Sequence, residues 1–236
     1  MEHELHEISR LYVIGDIHGR LDLLDQLIDA IHHDIGARGA ESLTVTLGDY
    51  VDRGPDSCGV IDRLLKNPFP GDYIALKGNH EALLQTFLDQ PDTGNYWRRL
   101  GGLETLNSFG VPVQPIIEEQ QYGQAAEKLR TALSPVQVRF LTSLKTSLTV
   151  GRFFLCHAGI RPGVPLDRQS EEDLLWIRDE FLNSELDFGK IVVHGHTPTE
   201  QPEFRSNRIN IDTGAFATGR LTCLVVDGDA YRIVST

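Results

Sequence analysis

The sequence predicts an α/β fold. Three strand–loop–helix units follow one another in the first ninety residues, and short apolar strands return beyond residue 146. Alternation of this kind implies parallel strands joined by right-handed crossovers. The 236 residues fit one domain spanning 1–236, because a single α/β fold can run past about 200 residues.

Each element has its own warrant. Leu11-Tyr12-Val13-Ile14 is wholly apolar, the mark of a strand covered on both faces. Leu21, Leu24, Leu27, Ile28 and Ile31 recur at three- and four-residue steps, the stripe of an amphipathic helix. Leu43 to Leu47 forms the second strand, and Val60, Ile61, Leu64 and Leu65 mark the second helix. Asp72 to Leu76 is the third strand, followed by a helix carrying Leu83, Leu84, Phe87 and Leu88. A helical insertion is expected at about 90–146, from patches at Trp97 to Leu106, Ala125 to Leu133 and Val136 to Leu144. Pro112 and Pro115 break it, and no chemistry is evident in it. Strands resume at Ser147 to Val150, Arg152 to Cys156, Ile191 to Val193, Arg208 to Ile211, Leu221 to Val226 and Ala230 to Val234. Asp227-Gly228-Asp229 reads as a hairpin turn, which makes the C-terminal strands antiparallel. The acid-rich stretch from Asp167 to Asp187 reads as a solvated face.

Composition narrows the function. Apolar residues at 40% and charged residues at 24% supply a core and carry no signature of disorder. The 22 Lys and Arg against 34 Asp and Glu leave a net charge of −12. That excess of acid argues against a general affinity for nucleic acid or acidic membranes, so neither is an expected partner. Cys58, Cys156 and Cys223 are widely spaced with no CxxC, which reads as reduced thiols. MEHELHEISR has no apolar core of a leader, and no apolar run nears the roughly 20 residues of a membrane span. A soluble, cytoplasmic protein is the expectation.

Five of the nine histidines (His18, His80, His157, His194 and His196) follow apolar strands or open the next helix, each with a Gly within two residues. Ligands in such sheets bind beyond the carboxyl ends of the strands. His3, His6, His32 and His33 lie in the tail or late in the first helix and read as exposed. Asp16 and His18 are two apart, which at a strand end puts both on one side. Asp49, Asp52 and Arg53 crowd a buried strand end, an arrangement that is costly without cations or phosphate. Blander readings stay open at this level: a structural turn at Asp16, a loop ion pair at Arg53, a helix N-cap at Asn79. Taken together, Asp16, His18, Asp49, Asn79, His157 and His196 are six candidate ligands. With Asp49 bridging they suffice for two cations about 3.5–4 Å apart, which lower the pKa of bound water to about 7 and clamp an in-line displacement. A phosphate ester is the expected substrate. The mixed N/O donor set suits Mn, Fe or Zn. Cys156, next to His157, points the other way and reads as core.

The motifs GDIHG, GDYVDRG, GNHE, HAG and HGHT, in that order from Gly15 to Thr197, resemble the metallophosphoesterases. Their form resembles the phosphoprotein phosphatase branch, in the style of the bacterial and bacteriophage-lambda serine/threonine phosphatases, and Asp212-Thr213-Gly214-Ala215 extends the likeness. The resemblance implies a calcineurin-like four-layer α/β/β/α sandwich around two divalent ions, Mn first and Fe or Zn as alternatives. Asp16, His18 and Asp49 would hold one, and Asp49, Asn79, His157 and His196 the other; the reaction the resemblance implies is direct attack of metal-bound hydroxide on phosphorus. His80 matches the general acid and Asp52 the carboxylate that orients it. Arg53, Asn79 and Arg178, the last within Leu175-Trp176-Ile177-Arg178, match phosphate-binding positions. His194 is not a family ligand and reads as support behind the ligands. His157-Ala158-Gly159 departs mildly from the HGG of many eukaryotic members, and their long C-terminal regions are missing, so no regulatory subunit is expected.

The resemblance points to a phosphoprotein phosphatase acting on phosphoserine and phosphothreonine, with phosphotyrosine a further candidate substrate. The alternative is a dinucleoside polyphosphate hydrolase acting on diadenosine tetraphosphate; such enzymes often carry a non-acidic residue where Asp52 stands. A catalytically dead binding module is disfavoured by retention of every ligand and of His80. Trp97, Arg98 and Arg99 are candidates for a substrate entrance, against the commoner reading of a helical Trp as core.

Overall fold

The computed structural model describes residues 10–36 and 41–236, so the reading of His3 and His6 lies outside the described residues. In chain order β1 (Arg10–Ile14), α1 (Leu21–Ile35), β2 (Ser42–Thr46), α2 (Ser57–Leu64), β3 (Asp72–Ala75) and α3 (Asn79–Asp89) make the three predicted units. The insertion is α4 (Gly94–Trp97), α5 (Gly102–Ser108), α6 (Gln114–Glu119), α7 (Tyr122–Ala132) and α8 (Pro135–Ser143). β4 (Ser147–Val150), β5 (Phe153–Cys156), α9 (Glu171–Trp176), α10 (Asp179–Leu182), β6 (Ile191–His194), β7 (Glu203–Phe204) and β8 (Arg208–Asn210) follow. The described chain ends with α11 (Ala215–Thr218), β9 (Thr222–Asp227) and β10 (Ala230–Ser235).

Among the described residues ten strands form two five-stranded sheets, ordered β10-β9-β1-β2-β3 and β4-β5-β6-β8-β7. β1, β2 and β3 are parallel, as are β5, β6 and β8. Strand alternation then separates three apolar layers. Leu11 and Val13 of β1 face a core between the sheets, with Val45, Phe153, Leu155 and Val193. Tyr12 and Ile14, on the opposite face, pack against Leu24, Leu27 and Ile31 of α1 and Val60 and Ile61 of α2. Beneath the second sheet, Phe154 and Cys156 meet Leu174 of α9 and Phe181 of α10. The result is the expected four-layer α/β/β/α sandwich, with Cys156 in a core as its neighbour's position required. Each fully buried leucine in these layers contributes roughly 1.5–3 kcal/mol relative to exposure.

Three local expectations are corrected, and one strand is added. The patch from Trp97 to Leu106 is not one helix: Gly101, at φ 106°, separates α4 and a 3-10 turn from α5. A Cβ there would stand 2.3 Å from the Arg53 backbone nitrogen, so close approach to that loop requires glycine. Pro115 begins α6 rather than breaking the chain, because the first turn of a helix needs no proline N–H. β7, at two residues, is too short to leave a periodic trace. Among the C-terminal strands, β9 and β10 are antiparallel as expected, but β8 joins the other sheet parallel to β6. Among the described residues no helix is long and apolar enough to cross a membrane, and all three cysteines are free thiols.

Candidate metal centre

Carboxyl ends of parallel strands from both sheets open onto one place. The loop after β1 brings Asp16 and His18, the loop after β2 brings Asp49 to Arg53, and the start of α3 brings Asn79 and His80. His157 follows β5 and His196 follows β6. The six expected ligands and His80 are all buried. Two triads result, His18–Asp49–His80 and Asp49–His157–His196, with Asp49 common to both.

The donor atoms meet in a way that calls for cations. His18 Nδ1 donates to Val51 O at 2.8 Å, and burial lowers its pKa to about 3, so its Nε2 is unprotonated and accepts from Arg53 Nη1 at 2.9 Å. That nitrogen lies 3.4 Å from Asp49 Oδ2. His157 Nδ1 likewise donates to Leu47 O at 3.1 Å. Its pKa is lowered by burial, so its Nε2 faces Asn79 Oδ1 at 2.8 Å and Asp49 Oδ1 at 3.4 Å without a proton. His196 Nδ1 stands 2.9 Å from the same Asn79 oxygen, and its Nε2 has no partner. Acceptors facing acceptors in a buried site repel unless a cation lies between them. The residues therefore fit a dinuclear centre of divalent ions.

Carboxylates reinforce the point. Asp16 accepts from His196 N at 3.1 Å and stands outside the two triads, although it is buried beside Asp49. Its pKa is raised well above the usual range by burial, then by Asp212 and by Asp49. Asp212 is itself raised to about 6 by burial, despite accepting from Gly214 N at 2.8 Å. In the sequence, only its place in the DTGA motif marks Asp212.

The local backbone is strained where the chemistry converges. His18, Asp49, Asp52, Arg53 and His196 account for five of the seven non-glycine residues with positive φ among those described. Each such conformation costs on the order of 1–3 kcal/mol and persists only when its surroundings over-determine it. Glu81 supplies much of that constraint: its buried carboxylate accepts from Gly78 N, Asp49 N and Tyr50 N at 2.8–2.9 Å. In the sequence, Glu81 is marked only as the last letter of GNHE.

Overlapping the first triad at His80 lies a second constellation. His80 Nδ1 donates to Asp52 Oδ2 at 2.6 Å. Burial opposes the charged imidazolium, but Asp49 and Asp52 outweigh it and raise the His80 pKa. Arg53 directs Nη1 to His18 Nε2 at 2.9 Å and Nη2 to His80 Nε2 at 3.1 Å, so its fork points into the centre. The Phe216 ring of α11 lies 4.7 Å from the Arg53 Cζ and edge-on to His18. Arg178 stands at the rim by the second triad, donates to Thr197 Oγ1 at 3.0 Å, and its charge helps lower both His157 and His196.

Two expectations change. His194 does not support the ligands from behind: it lies on the Val192 face of β6 and packs edge-on against Phe181, 5.0 Å away. Trp97 lines no entrance. It is 1% exposed, as the core reading of a helical Trp has it, and its indole Nε1 donates to Asp52 Oδ2 at 2.8 Å, so the insertion reaches the site.

The family profile of calcineurin-like phosphoesterases matches residues 9–227. The chain belongs to that family. This phosphoesterase is 29% identical over 228 residues to serine/threonine-protein phosphatase 2 of Escherichia coli K12, covering 92% of this chain and 93% of that protein. It is 27% identical over 234 residues to the asymmetrical bis(5'-nucleosyl)-tetraphosphatase PrpE of Anoxybacillus flavithermus, covering 90% and 88%. A solved structure provisionally assigned as a diadenosine tetraphosphatase superposes with a TM-score of 0.67 at 23% identity, covering 99% of this chain and 97% of the other, a likeness of fold. The protein is a metal-dependent phosphoesterase, and its relatives divide between two substrate classes.

Proposed function

We propose that this phosphoesterase is a phosphoprotein phosphatase that hydrolyses phosphoserine and phosphothreonine, and also phosphotyrosine. The observation that carries the reading is the His80–Asp52 pair, a buried imidazole held by a carboxylate at 2.6 Å with its pKa raised. A serine or threonine alkoxide is strongly basic and needs a proton as it leaves; a nucleoside polyphosphate is stable as an anion and needs none. An acid poised this way serves a monoester.

Asp16, His18, Asp49, Asn79, His157 and His196 would hold two cations, with Mn suited to the donor set. When bound, the pair supplies activated water and neutralises phosphate charge. Arg53 offers a planar fork to two phosphate oxygens, and Arg178 and the Asn79 amide approach from the second triad. Water-derived oxygen bonds to phosphorus as the ester P–O bond breaks; with the Arg53 fork turned from His80 Nε2 onto the phosphate, that nitrogen carries a proton, which passes to the departing oxygen. Asp52 keeps Nδ1 protonated and the ring aligned.

Diadenosine tetraphosphate hydrolysis is the second reading, supported by the PrpE likeness at 27% identity. Comparing kcat/KM for a phosphoserine peptide, a phosphotyrosine peptide and diadenosine tetraphosphate with Mn-loaded protein separates the two. A higher value for the tetraphosphate overturns the phosphatase reading. His80→Ala should keep its metal content while kcat on the phosphoserine peptide drops by about 10²–10⁴.

A further inference from the structure

Asp52 is fully buried, sits at φ 72°, and holds more than His80. Its Oδ2 accepts from Trp97 Nε1 at 2.8 Å beside the His80 bond, and its Oδ1 accepts from Thr105 Oγ1 at 2.6 Å. The Asp52 backbone N–H in turn donates to Thr105 Oγ1 at 2.8 Å and to Ser57 Oγ at 3.1 Å. Both extra side chains come from the helical insertion, 45 and 53 residues along the chain. Their own positions are set by packing. The Trp97 ring lies against Phe87 of α3 at 4.6 Å, and a Cβ on Gly102 would stand 2.4 Å from it. Thr105 is buried as well.

A carboxylate bonded only to an imidazole can still turn about its side-chain axis, and the imidazole turns with it. Two further donors fixed on different helices leave one orientation. We propose that Trp97 and Thr105 are positioning residues for proton delivery: they lock the Asp52 carboxylate so that His80 Nε2 stays aimed at the leaving oxygen. The proposal rests on the reading of His80 as general acid. It makes the insertion a working part of the site.

Misaiming the acid harms substrates in proportion to how much their leaving group needs a proton. A merely structural role would lower turnover on all substrates alike. Mn-loaded full-length Trp97→Phe, Thr105→Val and Thr105→Ser are compared with wild type and His80→Ala on p-nitrophenyl phosphate, phenyl phosphate and a phosphoserine peptide. Trp97→Phe and Thr105→Val should lose about ten- to a hundredfold in kcat on the peptide but less than about threefold on p-nitrophenyl phosphate. Thr105→Ser, which keeps the hydroxyl, should restore the peptide rate to within about twofold of wild type. Equal losses on the two substrates, or none, overturn the proposal. If His80→Ala itself loses equally on every substrate, the acid reading falls and this proposal with it; if only His80→Ala shows the graded loss, the positioning role alone falls. Should Trp97→Phe lose metal or fold, as manganese content and thermal unfolding report, the Thr105 pair decides alone, since both variants keep the indole.

Discussion

Arg53 shows how much one residue depends on its immediate neighbours. Its guanidinium face lies on Phe216 while its edge points into the centre, so the ring fixes the fork without using any of its N–H groups. A cation–π contact at a half-exposed site contributes about 0.5–1 kcal/mol. Phe216→Leu, which keeps apolar bulk but loses the ring, should therefore raise the inhibition constant of inorganic phosphate about two- to fivefold, with manganese content unchanged. An identical inhibition constant would show that packing alone holds Arg53. Residue identity was largely legible in the sequence here, because Arg53 stands in a dense motif. Phe216 was not, since one exposed aromatic after DTGA carries no periodic or motif signal of its own.

Between elements, Glu81 ties the loop after β2 to the start of α3. Each carboxylate oxygen accepts from two backbone N–H groups, Oε2 from Asp49 and Gly78, Oε1 from Tyr50 and, at 3.3 Å, Val51. Glu81→Gln puts an amide NH2 opposite two of these donors, whichever way the amide is turned. Leaving buried donors unpaired costs about 1–3 kcal/mol each, so chemical denaturation should report a loss of about 2–6 kcal/mol and calorimetry weaker manganese binding. Unchanged stability would remove Glu81 from this role. The expected strands and first three helices came through because apolar runs and three- and four-residue steps are local signals. The insertion was legible as helix but not as part of the site. Its periodicity reported which residues are buried, while the donor role of Trp97 and Thr105 depends on which loop they are buried against.

Across the whole molecule, the first sheet is fastened to α1 by charge as well as by its core. Asp34 accepts from Arg10 at 3.0 Å and Tyr12 at 2.7 Å of β1, and pairs with Arg232 of β10. Burial by itself would raise the Asp34 pKa, but Tyr12, Arg232 and Arg10 together hold it lower than usual. A carboxylate depressed in the folded state adds stability that is present above its unfolded pKa of about 3.9 and is lost as pH falls through the folded value. Asp34→Asn should thus lower the thermal midpoint by about 2–4 °C at pH 7, and the gap to wild type should close as pH drops below about 4. A gap that is constant with pH would assign the effect to packing instead.

The chain alone determined the layered α/β architecture and marked the polar residues that converge at the site, because each of those residues sits within a short motif at the end of an apolar strand. Those are facts of order and spacing. Tertiary structure decided that Asp16 faces the His196 amide, that Asp212 crowds it, that His194 turns to the outer core, and that the insertion grips Asp52. These are contacts between segments tens of residues apart, and a one-dimensional pattern states which face a side chain presents but not what it meets there.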